Sequence, residues 1–195
     1  MAQASTRRRA VAADPPDGLR YVADLLDADA EHTLVAEFGR LPFEEFVFRG
    51  VAARRRVIHF GWGYDLDGGG LTPGPPIPES LVELRARVAP LADRPPERFE
   101  EALVTEYRPG ATIGWHRDAP LFGPKVVGVS LAAACRMRFQ RGKGDARQVA
   151  EVTLEPRSAY VLSGAARWSW QHSIPATKAL RWSVTFRTLK EPGGR

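Results

Sequence analysis

The sequence predicts a mainly β protein with flanking helices, arranged as a jelly roll (a double-stranded β-helix). Two observations favour this fold class. From about residue 99 onwards, short runs of alternating apolar and polar residues are separated by turn residues. Before that point, two segments have the apolar spacing of amphipathic helices, so helices and strands occur in separate runs.

The first half of the chain contains both helical patterns. A short apolar run after Gly18 predicts a first strand, and Asp27 is placed to cap a helix that ends near Gly39. The apolar face of that helix carries Leu34, Val35 and Phe38. The second helix has its apolar positions at Leu81, Leu84, Val88 and Leu91.

The remaining segments predict strands and one long loop. Two strand-like pieces flank a turn at Gly50, and residues 66–78 are so dense in glycine and proline that we expect a loop there. The strand segments of the second half read EALVTEY, VVGVSL, RMRFQR, AEVTLE, AYVLSG and RWSVTFRTL.

The composition is that of one soluble globular domain. The chain has 195 residues, of which 44% are hydrophobic and 26% are charged, and it has no apolar run of membrane-spanning length. We expect a disordered tail over residues 1–18 and a single domain over residues 19–192, as a cytoplasmic monomer. Cys135 is the single cysteine, which fits a reducing compartment. The net charge of +5 permits nucleic-acid binding without requiring it.

One set of residues has the chemistry of a metal site. Residues i and i+2 of a strand point to the same face, so His116 and Asp118 are expected to face inwards together. His172 lies at the end of another strand-like segment. Two imidazoles and one carboxylate form a facial triad that leaves open positions on Fe(II), although zinc accepts the same ligands. The alternative is that the three are unrelated polar residues.

The last predicted strand adds two arginines. Alternation in RWSVTFR places Arg181, Ser183, Thr185 and Arg187 on one face and Trp182, Val184 and Phe186 on the other. Arginines inside a barrel are costly unless they meet anions, and the planar guanidinium suits a carboxylate. The alternative is an edge strand with a solvated arginine face.

These segments together resemble the AlkB family of 2-oxoglutarate oxygenases. The matching pieces are TEYRPGATIGWHRD, VSL, WQHSIP and RWSVTFR, in that order. The resemblance implies a dioxygenase that uses Fe(II), 2-oxoglutarate and O2. It also implies an N-terminal extension with a nucleotide lid over residues 19–98 and a jelly-roll core over residues 99–192.

The resemblance assigns roles to individual residues. His116, Asp118 and His172 would hold the metal. Arg181 would pair with the distal carboxylate of 2-oxoglutarate, helped by Tyr107 and Ser183, while Arg187 would lie near the keto-acid end. Thr105 belongs to the same co-substrate set. The positions of Ser183 and Thr105 are asparagine in the best-known members, so these contacts differ in detail.

The resemblance also implies oxidative demethylation of alkylated bases in single- or double-stranded DNA or RNA. Phe60, Trp62 and Tyr64 lie where the family places its nucleotide lid, and Arg54 is a candidate phosphate contact. His59, beside these aromatics, is a further candidate contact. The alternative is that the aromatics are core residues and the arginines a solvated face.

One departure keeps other functions open. Members of the founding type have an acidic residue two positions after the metal aspartate, and Pro120 stands there in this chain. The alternatives are a 2-oxoglutarate-dependent hydroxylase or demethylase of a protein or small molecule, and a β-barrel binding module without catalysis.

Overall fold

The computed structural model describes residues 11–48, 51–64 and 70–190, and its main elements are two packed β-sheets. The larger sheet has seven strands in the order β2 (Leu19–Val22), β12 (Ser158–Leu162), β9 (Phe122–Leu131), β14 (Arg181–Leu189), β7 (Phe99–Tyr107), β4 (Val51–Phe60) and β3 (Glu44–Phe48). The smaller sheet has five strands in the order β1 (Val11–Ala12), β11 (Gln148–Leu154), β10 (Cys135–Arg141), β13 (Gln171–Ile174) and β8 (Ile113–His116).

The predicted jelly roll is confirmed by this arrangement. Strand pairing in both sheets is antiparallel, apart from the parallel pair of β1 with β11 in the described part of the chain. A separate two-stranded ribbon joins β5 (Trp62–Tyr64) to β6 (Leu71–Pro73). All six strands predicted for the second half of the chain are present.

The main hydrophobic core lies between the larger sheet and two helices, α1 (Ala28–Phe38) and α2 (Glu79–Val88). Asp27 caps α1 as predicted, because its side chain accepts a hydrogen bond from the backbone N–H of Ala30 at 2.8 Å. Trp182 of β14 meets the ring of Phe38 edge to face at 5.9 Å. The predicted apolar positions Leu81, Leu84 and Val88 are buried in the same cluster.

A second, smaller core cluster closes one end of the space between the sheets. It contains Met137 and Phe139 of the smaller sheet and Tyr160 and Leu162 of the larger one. Gly128 of β9 leaves room for the Tyr160 ring, because a Cβ at this position would lie 2.2 Å from it. α3 (Gly164–Trp168) packs into the same cluster through Ala166.

Several predictions about the first half of the chain need correction. The described part of the expected tail, residues 11–18, is ordered: β1 pairs with β11, and Ala13 donates its N–H to the Val149 carbonyl oxygen at 2.8 Å. Disorder was expected from the polar composition of this segment, but these backbone hydrogen bonds attach it to the smaller sheet. Leu71–Pro73, within the expected loop, forms β6 instead.

The expected N-terminal extension contributes directly to the larger sheet. β4 pairs with β7 and β2 pairs with β12, so strands from residues 19–98 continue the sheet of residues 99–190. The predicted turn at Gly50 lies outside the described residues. No helix of the described part is both long and apolar enough to cross a membrane.

Candidate active site

A cavity of about 1070 Å³ lies between the two sheets and is partly open to solvent. Its walls come from the inward-facing residues of β4, β7 and β14 on one side and of β8 and β13 on the other. Strand alternation decides which side chains reach it, because successive residues point to opposite faces of a sheet. The residues predicted for the metal and co-substrate sites all line it: Thr105, Tyr107, His116, Asp118, His172, Arg181, Ser183 and Arg187.

His116, Asp118 and His172 are brought together in this cavity. His116 ends β8 directly opposite His172 of β13, and the two ring centroids are 4.2 Å apart. Nε2 of His172 lies 3.9 Å from Oδ2 of Asp118. The structure thus gathers two imidazoles and one carboxylate that are 56 residues apart in sequence at their extremes.

Asp118 reaches this cluster differently from the way the sequence predicted. β8 ends at His116, so Asp118 does not follow it as the next inward residue of a strand. It lies in the segment after the strand, whose backbone is held by Arg167 of α3. The Arg167 guanidinium donates hydrogen bonds to the carbonyl oxygens of Asp118, Ala119, Phe122 and Gly123 at 2.9–3.2 Å.

The protonation of the three side chains suits a divalent cation. Burial and the neighbouring His116 lower the pKa of His172 to about 3, so this imidazole is neutral. Burial also lowers the pKa of His116, whose Nδ1 donates to the Gly114 carbonyl oxygen at 2.9 Å and leaves the Nε2 lone pair available. Burial acts to raise the pKa of Asp118, but Arg187 and the imidazoles hold it below its usual range.

The donor set therefore fits a metal in its chemistry, since a ligand must be deprotonated to bind. The three side chains lie near one another, but they do not yet surround a single point. In the part of the chain that the structure describes, no group of three His, Cys, Asp or Glu side chains already has the spacing of a metal site. The two imidazole planes are tilted at 59° to each other.

Arg181 forms a second polar centre in the cavity wall. It is 1% exposed, donates from Nε to Oγ of Ser130 at 3.1 Å and lies over the Tyr107 ring at 5.0 Å. Its Nη1 is buried without a hydrogen-bond partner among the described residues. A buried guanidinium nitrogen that lacks a partner is costly, and a carboxylate is the group that a planar fork accepts best. Arg181 therefore fits one end of a dicarboxylate.

Thr105 and Ser183 lie close to this arginine. They are directly opposite each other on β7 and β14, and both are buried in the cavity wall. Burial also raises the pKa of the Tyr107 phenol, which therefore stays protonated and can donate a hydrogen bond. Three hydroxyl groups thus line the same cavity as Arg181.

Residues 54–64 contain the aromatic and basic side chains predicted to contact a nucleotide. Most of the residues predicted there do not line the cavity. Tyr64 lines the cavity, but Phe60 is 7% exposed and belongs to the main core. Trp62 lies in β5 and does not line the cavity. Arg54 is exposed, with its guanidinium close to Gly110, and its neighbour Arg55 lines the cavity instead.

The reason for these corrections is the register of β4. Arg55, Val57 and His59 point into the cavity, so Arg54 and Phe60 point to the other face. The alternation was visible in the sequence, but which face would become the cavity wall was decided by the pairing of β4 with β7.

A family model of the 2OG-Fe(II) oxygenase superfamily matches residues 64–188. The chain belongs to this superfamily. It is 24% identical over 173 residues to mouse tRNA (carboxymethyluridine(34)-5-O)-methyltransferase ALKBH8, a match that covers 84% of this chain and 25% of the mouse protein. It is 28% identical over 168 residues to the alpha-ketoglutarate-dependent dioxygenase AlkB of Escherichia coli, covering 75% of this chain and 77% of that protein.

A solved structure, that of OsALKBH1, has the same fold. Its TM-score is 0.70 at 15% sequence identity, and the match covers 89% of this chain and all of that one. The chain is an AlkB-like Fe(II)- and 2-oxoglutarate-dependent dioxygenase, with O2 as the second co-substrate. It spans about a quarter of the mouse relative, so the methyltransferase activity in that name belongs to the whole mouse protein.

Three further residues of this oxygenase were missed by sequence reasoning. Arg167 holds the Asp118 segment, and Glu101 is fully buried beside Arg187. Trp168 is 42% exposed at the cavity wall, and its ring lies 4.0 Å from the Arg167 guanidinium. Glu101 could have been found from the alternation in FEEALVTEY, which places it on the same face as Thr105 and Tyr107. Arg167 and Trp168 had no such signal.

Proposed function

We propose that this dioxygenase oxidatively demethylates alkylated bases in DNA or RNA. The observation that carries the proposal is that Arg55, His59 and Tyr64 line the same cavity as His116 and Asp118. Basic and aromatic side chains therefore share one surface with the metal-site residues, as a nucleotide substrate requires.

His116, Asp118 and His172 would hold the Fe(II) ion. When bound, Fe(II) with 2-oxoglutarate and O2 supplies the oxidising power to hydroxylate a C–H bond. The overall reaction converts 2-oxoglutarate, O2 and an N-methyl group to succinate, carbon dioxide and an N-hydroxymethyl group, which releases formaldehyde and leaves N–H. The chain's own part is to supply deprotonated ligands, of which the His172 and Asp118 side chains are 10% and 5% exposed.

Arg181 would bind the distal carboxylate of 2-oxoglutarate. Its buried, unpartnered Nη1 supports this role, and the hydroxyl groups of Tyr107, Ser183 and Thr105 would satisfy the carboxylate oxygens that remain. Arg187 would sit nearer the metal, because its Nε already donates to Oδ1 of Asp118 at 2.8 Å.

The substrate base would lie between the aromatic residues of the cavity. Tyr64 lines the cavity, with its ring 6.3 Å from that of Phe122. Trp168 lines it too and is 42% exposed, and the Arg167 guanidinium on one face of its ring would leave the second face for a planar ligand. An extruded base stacks on such side chains, at about 1–3 kcal/mol per base.

The charge of the protein supports a polyanionic substrate. Net charge is +5, and Arg55 and Arg117 lie at the cavity wall. The mouse relative carries tRNA in its name, which supports RNA as one class of substrate. DNA and RNA are therefore both tested below.

A second candidate function is favoured by Pro120, which lines the cavity where the founding-type members place an acidic residue. Proline has no side-chain donor or acceptor, so this wall offers less to a base with exocyclic amino groups. The second candidate is hydroxylation or demethylation of a protein or small molecule.

The test is succinate production with Fe(II), ascorbate, O2 and 2-oxoglutarate, with and without N-methylated DNA and RNA oligonucleotides. We expect stimulation by a methylated strand, formation of formaldehyde and loss of both in His116→Ala. Binding should also weaken steeply as salt rises, because phosphate contacts release counterions.

Other outcomes separate the alternatives. Slow succinate formation that no oligonucleotide stimulates would reject the nucleic-acid substrate and favour the second candidate. The absence of succinate together with the absence of bound iron would overturn the assignment of His116, Asp118 and His172 as ligands.

A further inference from the structure

Glu101 lies behind the cavity wall and contacts two residues that line the cavity, Arg187 and His59. It is on β7, with 0% of its surface exposed. Both carboxylate oxygens accept hydrogen bonds from Nη1 of Arg187, each at 3.0 Å, and Oε1 lies 3.1 Å from Nδ1 of His59. A carboxylate this deeply buried needs such partners to offset its loss of water.

Arg187 continues this chain of contacts to the metal site. Its Nε donates to Oδ1 of Asp118 at 2.8 Å, and its guanidinium lies 4.8 Å from the Phe122 ring centroid. One guanidinium is therefore shared between two carboxylates, Glu101 behind the site and Asp118 within it. The arrangement is fixed by packing, since the Arg187 side chain is 11% exposed and the two carboxylate side chains are 0% and 5% exposed.

Because Arg187 is shared between Glu101 and Asp118, Asp118 keeps more of its negative charge for a cation. Asp118 and Arg187 alone would form a closed ion pair with no net charge. With Glu101 included, two carboxylates face one guanidinium and the group has a net charge of about −1 at neutral pH. Glu101 thus draws part of the Arg187 charge away from Asp118 and holds the guanidinium in one place.

The same carboxylate also determines the orientation of His59. An ionised carboxylate only accepts hydrogen bonds, so Nδ1 of His59 must be the donor. His59 lines the cavity, and Nε2 is the ring nitrogen that remains for it. In the neutral ring this nitrogen is an acceptor, in a cavity where the Pro120 side chain offers none.

We propose that Glu101 is a positioning residue of this dioxygenase, which holds Arg187 against Asp118 and fixes the Nδ1–H tautomer of His59. The inference rests on the proposed role of Asp118 as a metal ligand. It goes beyond that role, since Glu101 touches neither the metal-site residues His116 and His172 nor the co-substrate arginine Arg181 in any contact that the structure records.

Glu106 provides a matched control on the same strand. It is also buried, and it also pairs with an arginine, through Arg56 Nε at 2.5 Å and Nη2 at 2.9 Å. It differs in direction, because residues 101 and 106 of β7 point to opposite faces of the sheet, and its partner Arg56 does not line the cavity whereas Arg187 and His59 do. Glu101→Gln and Glu106→Gln therefore both remove a buried carboxylate, but only Glu101 is linked to Asp118, through Arg187.

The experiment is a titration of wild type, Glu101→Gln, Glu106→Gln and His116→Ala with Mn(II), followed by electron paramagnetic resonance in the presence of 2-oxoglutarate. It needs neither substrate nor turnover. We expect Glu101→Gln to weaken Mn(II) binding about tenfold, the lower end of what loss of an outer partner costs a metal site. We expect Glu106→Gln to bind Mn(II) like wild type.

A conservative variant separates positioning from folding. Glu101→Asp keeps the charge and should recover most of the Mn(II) affinity, even if Glu101→Gln folds poorly. Equal Mn(II) affinity in Glu101→Gln and Glu106→Gln, or no recovery in Glu101→Asp, would overturn the inference. Failure of wild type to bind Mn(II) any better than His116→Ala would instead overturn the proposed metal site, and the inference with it.

The His59 part has its own measurement. Nitrogen-15 spectra of the imidazole rings distinguish the two neutral tautomers, and His59→Phe identifies the His59 signals among the four histidines of the chain. We expect the proton on Nδ1 in wild type. A proton on Nε2 of the neutral ring would show that Glu101 does not fix this side chain.

Discussion

Arg167 donates from Nη1 to the backbone carbonyl oxygen of Asp118 at 3.1 Å, and thereby joins α3 to the segment that carries the carboxylate proposed as a metal ligand. Arg167 is 2% exposed and also donates to the carbonyl oxygens of Ala119 in that segment and of Phe122 and Gly123 at the start of β9. Regular strand pairing ends at His116, and the Arg167 side chain bonds the backbone that follows.

The first prediction concerns this arginine. Arg167→Leu removes the side-chain donor of four carbonyl oxygens, of which only that of Ala119 is recorded with a second donor, the backbone N–H of Phe122. We expect the substitution to lower the free energy of unfolding by about 3 kcal/mol. The melting temperature should fall by roughly 6–12 °C in calorimetry. Arg136→Leu is the control, since Arg136 is exposed and makes only a long ion pair to Glu151 at 3.6 Å. Equal melting temperatures for the two variants would contradict the structural role.

The second prediction concerns Arg181. Arg181→Lys keeps the positive charge but loses the planar fork, so we expect the KM for 2-oxoglutarate to rise by roughly 10–100-fold. The measurement is the rate of succinate formation against 2-oxoglutarate concentration. Mn(II) affinity without 2-oxoglutarate should stay at the wild-type value. An unchanged KM would mean that the co-substrate carboxylate lies elsewhere.

The third prediction concerns His172. His172→Ala removes one of three donors, and we expect Fe(II) content after reconstitution to fall by roughly tenfold or more, with succinate formation lost. Metal analysis by mass spectrometry checks the first expectation without an activity assay. His32→Ala, at an exposed position of α1, should retain its iron. Full iron content in His172→Ala would remove His172 from the ligand set.

The fourth prediction concerns Trp168. Trp168→Ala removes the proposed stacking surface, so we expect binding of a methylated oligonucleotide to weaken by about tenfold. Fluorescence anisotropy with Mn(II) in place of iron measures this without turnover. Leu180→Ala removes a side chain of nearly equal exposure, 43%, outside the cavity, and should bind as wild type does. If both variants bind equally well, the base does not stack on Trp168.

The fifth prediction is a pH dependence of stability. The hydrogen bond from Arg56 lowers the pKa of Glu106 in the folded protein. A carboxyl group whose folded pKa lies below its unfolded value of about 4.3 stabilises the fold above that pH, and this stabilisation is lost as the pH falls through the folded pKa.

Glu106→Gln should therefore be less stable than wild type by about 1–2 kcal/mol at pH 7. The difference should shrink towards zero as the pH falls below about 4. Urea unfolding at several pH values checks this, and Glu155→Gln, at an exposed position, should show no such trend. A difference that stays constant with pH would mean that the Arg56 contact does not depend on the charge of Glu106.

The alternation of β14 shows how much local sequence can determine. Arg181, Ser183 and Arg187 are separated by even numbers of residues, so they share one face in any strand, and the apolar residues between them must face the core. The same rule places Thr105 and Tyr107 on one face of β7. These positions were predictable because they depend on a period of two residues and on nothing outside the strand.

The sequence by itself therefore determined the β-rich fold class, the capped helix after Asp27 and the residues proposed for the metal and co-substrate sites. The tertiary structure decided which face of β4 lines the cavity, so that Arg55 and the candidate His59 line it while Arg54 and Phe60 do not. It also brought Arg167 to Asp118 and Glu101 to Arg187 across 49 and 86 residues of sequence. Strand register and long-range pairing of buried charges depend on the whole sheet, and no local period of the chain encodes them.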